Sequence, residues 1–282
     1  MLHEDWTDTI TVPYVPTIGP VHPDSVVEVF RAVLASRPGE FLPYDKERRW
    51  ADRKDERVLP GELEQRPDRT AVATLARRRG GRVTVYEYGP AVDVAAARAR
   101  AATLAARHGA ASAHVVWPGP APVAEGRAVR VLLAPTARPG PDPDRPVLHL
   151  ADLPAEVRAT FSGFCAAAGP GMAHLGRRWA ADDVDAPILV TVAGGRVVGA
   201  IGPMQVAPGP DGALQLLPQY LAVDPQRRRG GHGRALWRAG QRWGRTAGAA
   251  YQLLQVEAGS PAAGLYASEG VGDLGAVCTV IA

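Results

Sequence analysis

The sequence predicts a two-part α/β chain, with an α+β arrangement in the first part. Three observations point there. A run of prolines over residues 135–146 divides the 282 residues into parts of ordinary domain size. Short β-type runs, several punctuated by Gly-Gly pairs, alternate with stretches of helical spacing. An Arg/Gly-rich turn joins an apolar strand to an amphipathic helix in the second part. With 46% hydrophobic and 22% charged residues the chain can bury a core, which excludes disordered and collagen-like classes. Cys165 and Cys278 are too few for a disulfide framework or a four-thiolate zinc site, so they read as buried thiols of a reducing compartment.

Within residues 1–134, helical spacing is first met over 26–34, at Val26, Val27, Phe30, Val33 and Leu34, behind an Asp24/Ser25 cap. Residues 40–69 are highly charged and read as irregular surface. Strands are predicted over 71–76 and 83–88, turning at Gly80-Gly81. An Ala- and Arg-rich helix follows over 92–106, ending near Gly109, and then strands over 113–117 and 128–133. No catalytic motif falls in this part. Residues 135–146, with Pro135, Pro139, Pro141, Pro143 and Pro146, read as a stiff, exposed connector.

In residues 147–282, Asp152 is expected to cap a helix over 155–168 that Gly169-Pro170-Gly171 breaks. Strands over 188–192 and 197–201 form a hairpin at Gly194-Gly195. One strand is expected over 214–223, with Pro218 marking a bulge or edge. A helix over 231–247 carries Leu236, Ala239 and Trp243 at helical spacing, followed by a strand over 251–256. A short helix over 262–268 and a last strand over 276–281 complete the order.

Charge bounds the partners. The net charge is +3, and all 32 basic residues except Lys46 and Lys54 are arginine. Guanidinium binds phosphate in a fixed, often bidentate geometry. The near-neutral total argues against a general nucleic-acid binder, although the sequence pI is about 9.1. The acidic start Met1-Leu2-His3-Glu4-Asp5-Trp6 lacks the order of a signal peptide, and no stretch is apolar enough for a membrane span. A cytoplasmic location without membrane association is expected. No His/Cys/Asp spacing suggests a metal site.

Chemistry concentrates in Val223-Asp224-Pro225-Gln226-Arg227-Arg228-Arg229-Gly230-Gly231-His232-Gly233-Arg234. Glycines let successive backbone N–H groups face one hollow, and a helix N-terminus adds partial positive charge. The run lacks the Lys-Ser/Thr of a nucleoside-triphosphate loop and the G-x-G-x-x-G of dinucleotide folds. It fits R/Q-x-x-G-x-G/A at Arg228, Gly231 and Gly233. Later, Ala262-Ala263-Gly264-Leu265-Tyr266-Ala267-Ser268-Glu269-Gly270-Val271 fits A-x-x-L-Y-x-x-x-G-F with Val as the last residue. Loop, hairpin and segment together resemble the GNAT superfamily of acetyl-CoA-dependent N-acetyltransferases over residues 147–282.

The resemblance implies a GNAT fold with a mixed, splayed central sheet, and direct attack of an amine on acetyl-CoA without a metal. It implies that Leu221, Ala222 and Val223 hold the pantetheine arm. The pyrophosphate falls to Arg228, Arg229, Gly230, Gly231, His232, Gly233 and Arg234. Tyr266 becomes the acid that protonates the leaving thiolate. The strand before the loop lacks the carboxylate that many members carry there. Glu257 is then the side-chain candidate for a base, against its reading as a surface carboxylate. Gln219, Tyr220 and His174 are candidates to face the acceptor, and His174 also reads as structural. The acceptor is expected to be a small-molecule amine, such as a specialised metabolite or antibiotic. A protein amine and an inactive coenzyme-binding module are the alternatives, and a homodimer is left open. Family members end in two strands after the Leu-Tyr helix, but the residues after Gly270 suffice for one. The missing strand is therefore expected to be absent, or to come from the N-terminal part or a second subunit. The N-terminal part is either a decayed GNAT copy, making a tandem protein, or a separate domain shaping the acceptor pocket.

Overall fold

The computed structural model describes residues 56–66, 69–77, 80–88, 92–119, 125–208 and 213–282. The helix expected over 26–34 and most of the charged stretch from residue 40 lie outside them. The chain groups into two compact units. One comprises the described residues up to Leu133 together with Leu254–Ala282, and the other is Ala134–Leu253. The sequence had assigned 254–282 to the second part. Strand pairing explains the regrouping, because β-ladders join residues far apart in the chain and leave no local signature.

In the first unit, β1 (Glu56–Val58) and β2 (Glu64–Arg66) both pair with β3 (Arg69–Ala76). These two short strands fall inside the stretch expected to be irregular. β3 turns into β4 (Arg82–Tyr88), and helix α1 (Val94–Arg107) crosses over to β5 (Ser112–Gly119), which runs parallel to β4. A parallel pair needs such a crossover, and here the helix supplies it. β6 (Arg127–Ala134) comes next in the chain. The sheet order is β1-β3-β4-β5-β14-β6-β13, where β13 is Gln252–Glu257 and β14 is Gly272–Ile281. After Gly270 the chain makes the single strand β14, and it lies between β5 and β6. The neighbour on its β6 side is thus supplied by the N-terminal part, one of the sources expected from the sequence. Alternate residues of these strands, Ala71, Ala73, Val83, Val85, Val115, Trp117, Cys278 and Val280, meet Ala97, Ala101 and Leu104 of α1 in one core.

The second unit holds a four-stranded sheet, β12-β9-β8-β7. Its strands are β7 (Leu148–His149), β8 (Leu189–Ala193), β9 (Arg196–Gly202) and β12 (Tyr220–Val223). Gly194 and Gly195 turn the β8–β9 hairpin with φ of 57° and 70°, the mirror-image turn that strand twist favours. β10 (Val206–Pro208) and β11 (Leu214–Leu216) pair separately. The strand expected over 214–223 is therefore two strands, β11 and β12, parted around Pro218, which cannot donate to a ladder.

Three helices cover one face: α2 (Ala155–Arg158), α3 (Phe161–Ala167) and α4 (Pro170–Ala180). The single helix expected over 155–168 is broken at Thr160. Its hydroxyl donates to Val157 O at 2.7 Å and accepts from Val197 N at 3.0 Å, tying the break to β9. The cap is Pro154 rather than Asp152, which closes a preceding 3-10 turn. Phe161, Leu175, Val190 and Ala200 fill this side. On the other face lies α5 (His232–Thr246), where Leu236 packs with Ile201, Met204 and Leu216.

Candidate functional site

β12 leads into the Arg/Gly-rich turn. Asp224 Oδ1 accepts from Gln226 N at 2.9 Å and starts a 3-10 turn over Pro225–Arg227. Arg228 is extended, Arg229 is left-handed at φ 63°, and Gly231 is left-handed at φ 82°. A left-handed arginine is uncommon and marks a turn whose conformation is imposed by its surroundings. Gly231 is the N-cap of α5, and no side chain caps the helix. The first N–H groups of a helix have no partner within it, so an uncapped start offers donors to an outside anion. Arg227, Arg228, Arg229 and Arg234 stand exposed around it.

His232 opens the helix and is 8% exposed. A Cβ placed on Gly230 would lie 3.7 Å from its Nε2, and its Nδ1 is buried without a hydrogen-bond partner. Burial lowers the pKa of this imidazole, and Arg145 and Arg227 lower it further, so it is neutral near pH 7. A cavity of about 440 Å³ opens beside the turn, lined by Thr160, Phe164, Arg196, Asp224 and Arg227 among others.

Among the described residues, β12 is an edge strand with β9 as its one sheet neighbour. Asp224 N donates to Val198 O, and Ala222 pairs with Ala200. By the two-residue period, the N–H groups of Leu221 and Val223 point to the free edge. That edge can accept an extended polar chain as a strand would.

The expected acceptor residues separate in space. Tyr220 packs on the first turn of α4, where a Cβ on Gly171 would lie 2.6 Å from Tyr220 Cε1. His174 is one turn further along that helix and half-buried. Gln219 is tied into a chain of side-chain amides. Thr136 Oγ1 donates to Gln241 Oε1 at 3.0 Å, Gln241 Nε2 to Gln252 Oε1 at 2.6 Å, and Gln252 Nε2 to Gln219 Oε1 at 2.8 Å. Gln219 Nε2 in turn donates to Leu217 O. This chain, with Gln252 at 1% exposure, went unread in the sequence because its members lie on four separate segments.

In the other unit, Tyr266 lies in α6 (Pro261–Ser268), which Ser260 caps by accepting from Ala263 N at 3.4 Å. It is 8% exposed, and burial raises its phenol pKa to about 12. Glu257 ends β13 exposed and paired with Arg127 at 3.3 Å, the setting of a surface carboxylate. Among the described residues, no group of three or more His, Cys, Asp or Glu could hold a metal ion, and no helix is long and apolar enough to cross a membrane.

The family model described as "Acetyltransferase (GNAT) family" matches residues 157–270, which span this loop and the Leu-Tyr helix. Residues 157–270 are a GNAT acetyltransferase domain. That match identifies a GNAT-type acyltransferase domain within the chain. Its fold is similar to that of a GCN5-related N-acetyltransferase from Sphaerobacter thermophilus, with 16% identity and a TM-score of 0.51, covering 78% of this chain and 82% of that one. That span exceeds what residues 147–282 alone can supply. A GNAT-family acetyltransferase from Colwellia psychrerythraea matches with 10% identity and a TM-score of 0.48, covering 75% and 80% of the two chains. A tandem GNAT protein from the clavulanic acid biosynthesis pathway matches with 12% identity and a TM-score of 0.43, covering 76% and 78%. No curated protein matches the sequence.

Proposed function

We propose that this GNAT protein transfers an acetyl group from acetyl-CoA to the amine of a small molecule. One observation carries the coenzyme reading: α5 begins uncapped at a left-handed Gly231 within an Arg-rich turn, directly after an edge strand. The residues fit a pyrophosphate. The helix start at Gly231 has no side-chain cap, the buried Nδ1 of His232 has no hydrogen-bond partner, and exposed guanidinium groups surround them. The outward N–H groups of Leu221 and Val223 suit the amide-bearing pantetheine arm.

Acetyl-CoA supplies the activated thioester. The acceptor nitrogen forms a bond to the carbonyl carbon and sheds one proton to water, the C–S bond breaks, and the sulfur leaves with a proton, the donor being reprotonated from water. Tyr266 is assigned as the donor of that proton by the match of its segment to the family's. Its raised pKa keeps the proton on Oη at neutral pH. Glu257 is already paired with Arg127, which favours an amine that arrives neutral, or an ordered water, over a carboxylate base. Tyr220 and His174 are assigned to the acceptor side, and Gln219 to holding the start of β12.

Titration calorimetry with acetyl-CoA tests the reading, followed by thiol release across a panel of small amines and peptides. Micromolar binding with turnover on small amines is the expected result. Turnover restricted to peptides would move the acceptor to protein amines, and binding without any turnover would leave a coenzyme-binding module. No binding would overturn the coenzyme reading.

A further inference from the structure

The Pro-rich segment 135–146 belongs to the second unit and is tied along α5 from one end to the other. Ala137 N donates to Ala250 O at 3.0 Å, just past the helix C-terminus. Arg245 donates to Arg138 O at 3.3 Å, Arg242 pairs with Asp142 at 3.2 Å, and Arg238 donates to Asp142 O at 3.5 Å. At the helix start, a Cβ on Gly231 would lie 3.1 Å from Arg145 Nε and 3.8 Å from Asp144 Oδ2. The lengths agree. The fifteen residues of α5 span about 22 Å, and an extended Pro-rich segment of similar reach needs only about seven to nine residues.

This strap delivers Arg145 to the N-cap of α5, where a cation is out of place. The start of a helix carries partial positive charge, and Arg227 is already close enough to act on the same imidazole. Arg145 makes no hydrogen bond or ion pair among the described residues, not even with neighbouring Asp144. Beneath it, His232 is buried with an unpartnered Nδ1 in the first helical turn. Guanidinium, orphaned imidazole nitrogen and uncapped helix start thus converge beside Asp144, whose carboxylate bonds none of them among the described residues.

We infer that Arg145 is a phosphate-binding residue of the coenzyme site, held over the helix start by the Pro-rich strap. The inference rests on the coenzyme reading above. Its ligand is a phosphoryl group of coenzyme A, in the pyrophosphate or on the ribose. Gly231 then has two roles, since a side chain there would displace the guanidinium as well as strain the turn.

Calorimetry with coenzyme A and with dephospho-coenzyme A, on the unaltered protein and on Arg145→Ala and Arg145→Lys, tests this. Arg145→Ala should weaken coenzyme A about tenfold, the scale of one charge-assisted contact, and Arg145→Lys should recover part of the loss. If the loss vanishes with dephospho-coenzyme A, the ribose phosphate is the partner; if it persists, the pyrophosphate is. Arg145→Ala binding both ligands as the unaltered protein does would overturn the inference. So would an equal rise in KM for phosphate-free acetyl-pantetheine, which would mark a structural role. Failure of the unaltered protein to bind coenzyme A would overturn the coenzyme reading itself, and this inference with it.

Discussion

The molecule makes the same strand–helix–strand connection twice and finishes it differently. In the first unit, β4, α1 and β5 close completely. β4 and β5 share a parallel ladder from Arg82↔Ser112 to Tyr86↔Val116, and Asp93 Oδ1 caps α1 by accepting from Ala96 N at 3.0 Å. In the GNAT domain, β12 ends its sheet among the described residues, and α5 starts at Gly231 with no side-chain cap. One connection caps its helix with a side chain and the other leaves its helix start without one. The proposed phosphate site falls where a cap and a ladder are missing, because exposed helix donors must find an acceptor somewhere. The closed connection also lacks the Arg/Gly turn.

Making the open connection resemble the closed one should have the largest effect. Gly231→Asp puts at the start of α5 the residue type that caps α1. Asp tolerates the left-handed region better than most residues and is a strong cap, so the fold should survive. Its carboxylate would take the donors and repel phosphate, and acetyl-CoA binding should fall at least a hundredfold by calorimetry. The reciprocal change, Asp93→Ala, should cost about 1 kcal/mol of stability and leave binding unaltered. If both variants bind acetyl-CoA normally, the contrast between the two helix starts has no functional content.

Tyr266 gives the next largest effect and separates binding from chemistry. Tyr266→Phe should lower kcat about a hundredfold with little change in KM for acetyl-CoA, the loss expected of a general acid. The pH profile carries the sign. Burial raises the phenol pKa to about 12, so the acid form persists through alkaline conditions and activity should show no falling limb below about pH 10. A limb near pH 8 that disappears in Tyr266→Phe would remove the phenol from this role.

Local chemistry was legible in the sequence, and distant pairing was not. Gly194-Gly195 announced a hairpin, and the apolar spacing of Leu236, Ala239 and Trp243 announced α5. Pro218 announced an interruption, though not that β11 and β12 would part. Helix α4 went unread behind Gly169-Pro170-Gly171, which looks like a breaker. Yet Pro170 suits a first helical turn, and Met172, Leu175 and Trp179 keep the apolar spacing that follows. Counting strands exposed a deficit at the C-terminus, but only the ladder identified residues 127–134 as the neighbour of β14. Arg145 was hidden for the same reason. A connector in a proline run is a strap only once the helix beneath it is known.

The smallest effect belongs to the closed connection and should be one of stability alone. Glu87, near the end of β4, is fully buried, with Arg69 Nε at 3.3 Å from its carboxylate. Desolvation raises its pKa more than Arg69 and Arg100 lower it. The folded state therefore holds this proton more tightly than the unfolded chain does. Over the window from the ordinary glutamate value of 4.5 up to the raised one, rising pH should cost stability through this group, the reverse of an ordinary ion-paired carboxylate. Glu87→Gln should remove that slope in urea midpoints measured between about pH 4 and pH 7. It should not orphan Arg69, which keeps Glu64 at 2.9 Å, so the change should be neutral or stabilising by about 1 kcal/mol above the window. Acetyl-CoA binding should stay as it was. An unchanged slope would mean that Arg69 and Arg100 hold Glu87 ionised, and that the closed connection stores a buried ion pair instead of a buried proton.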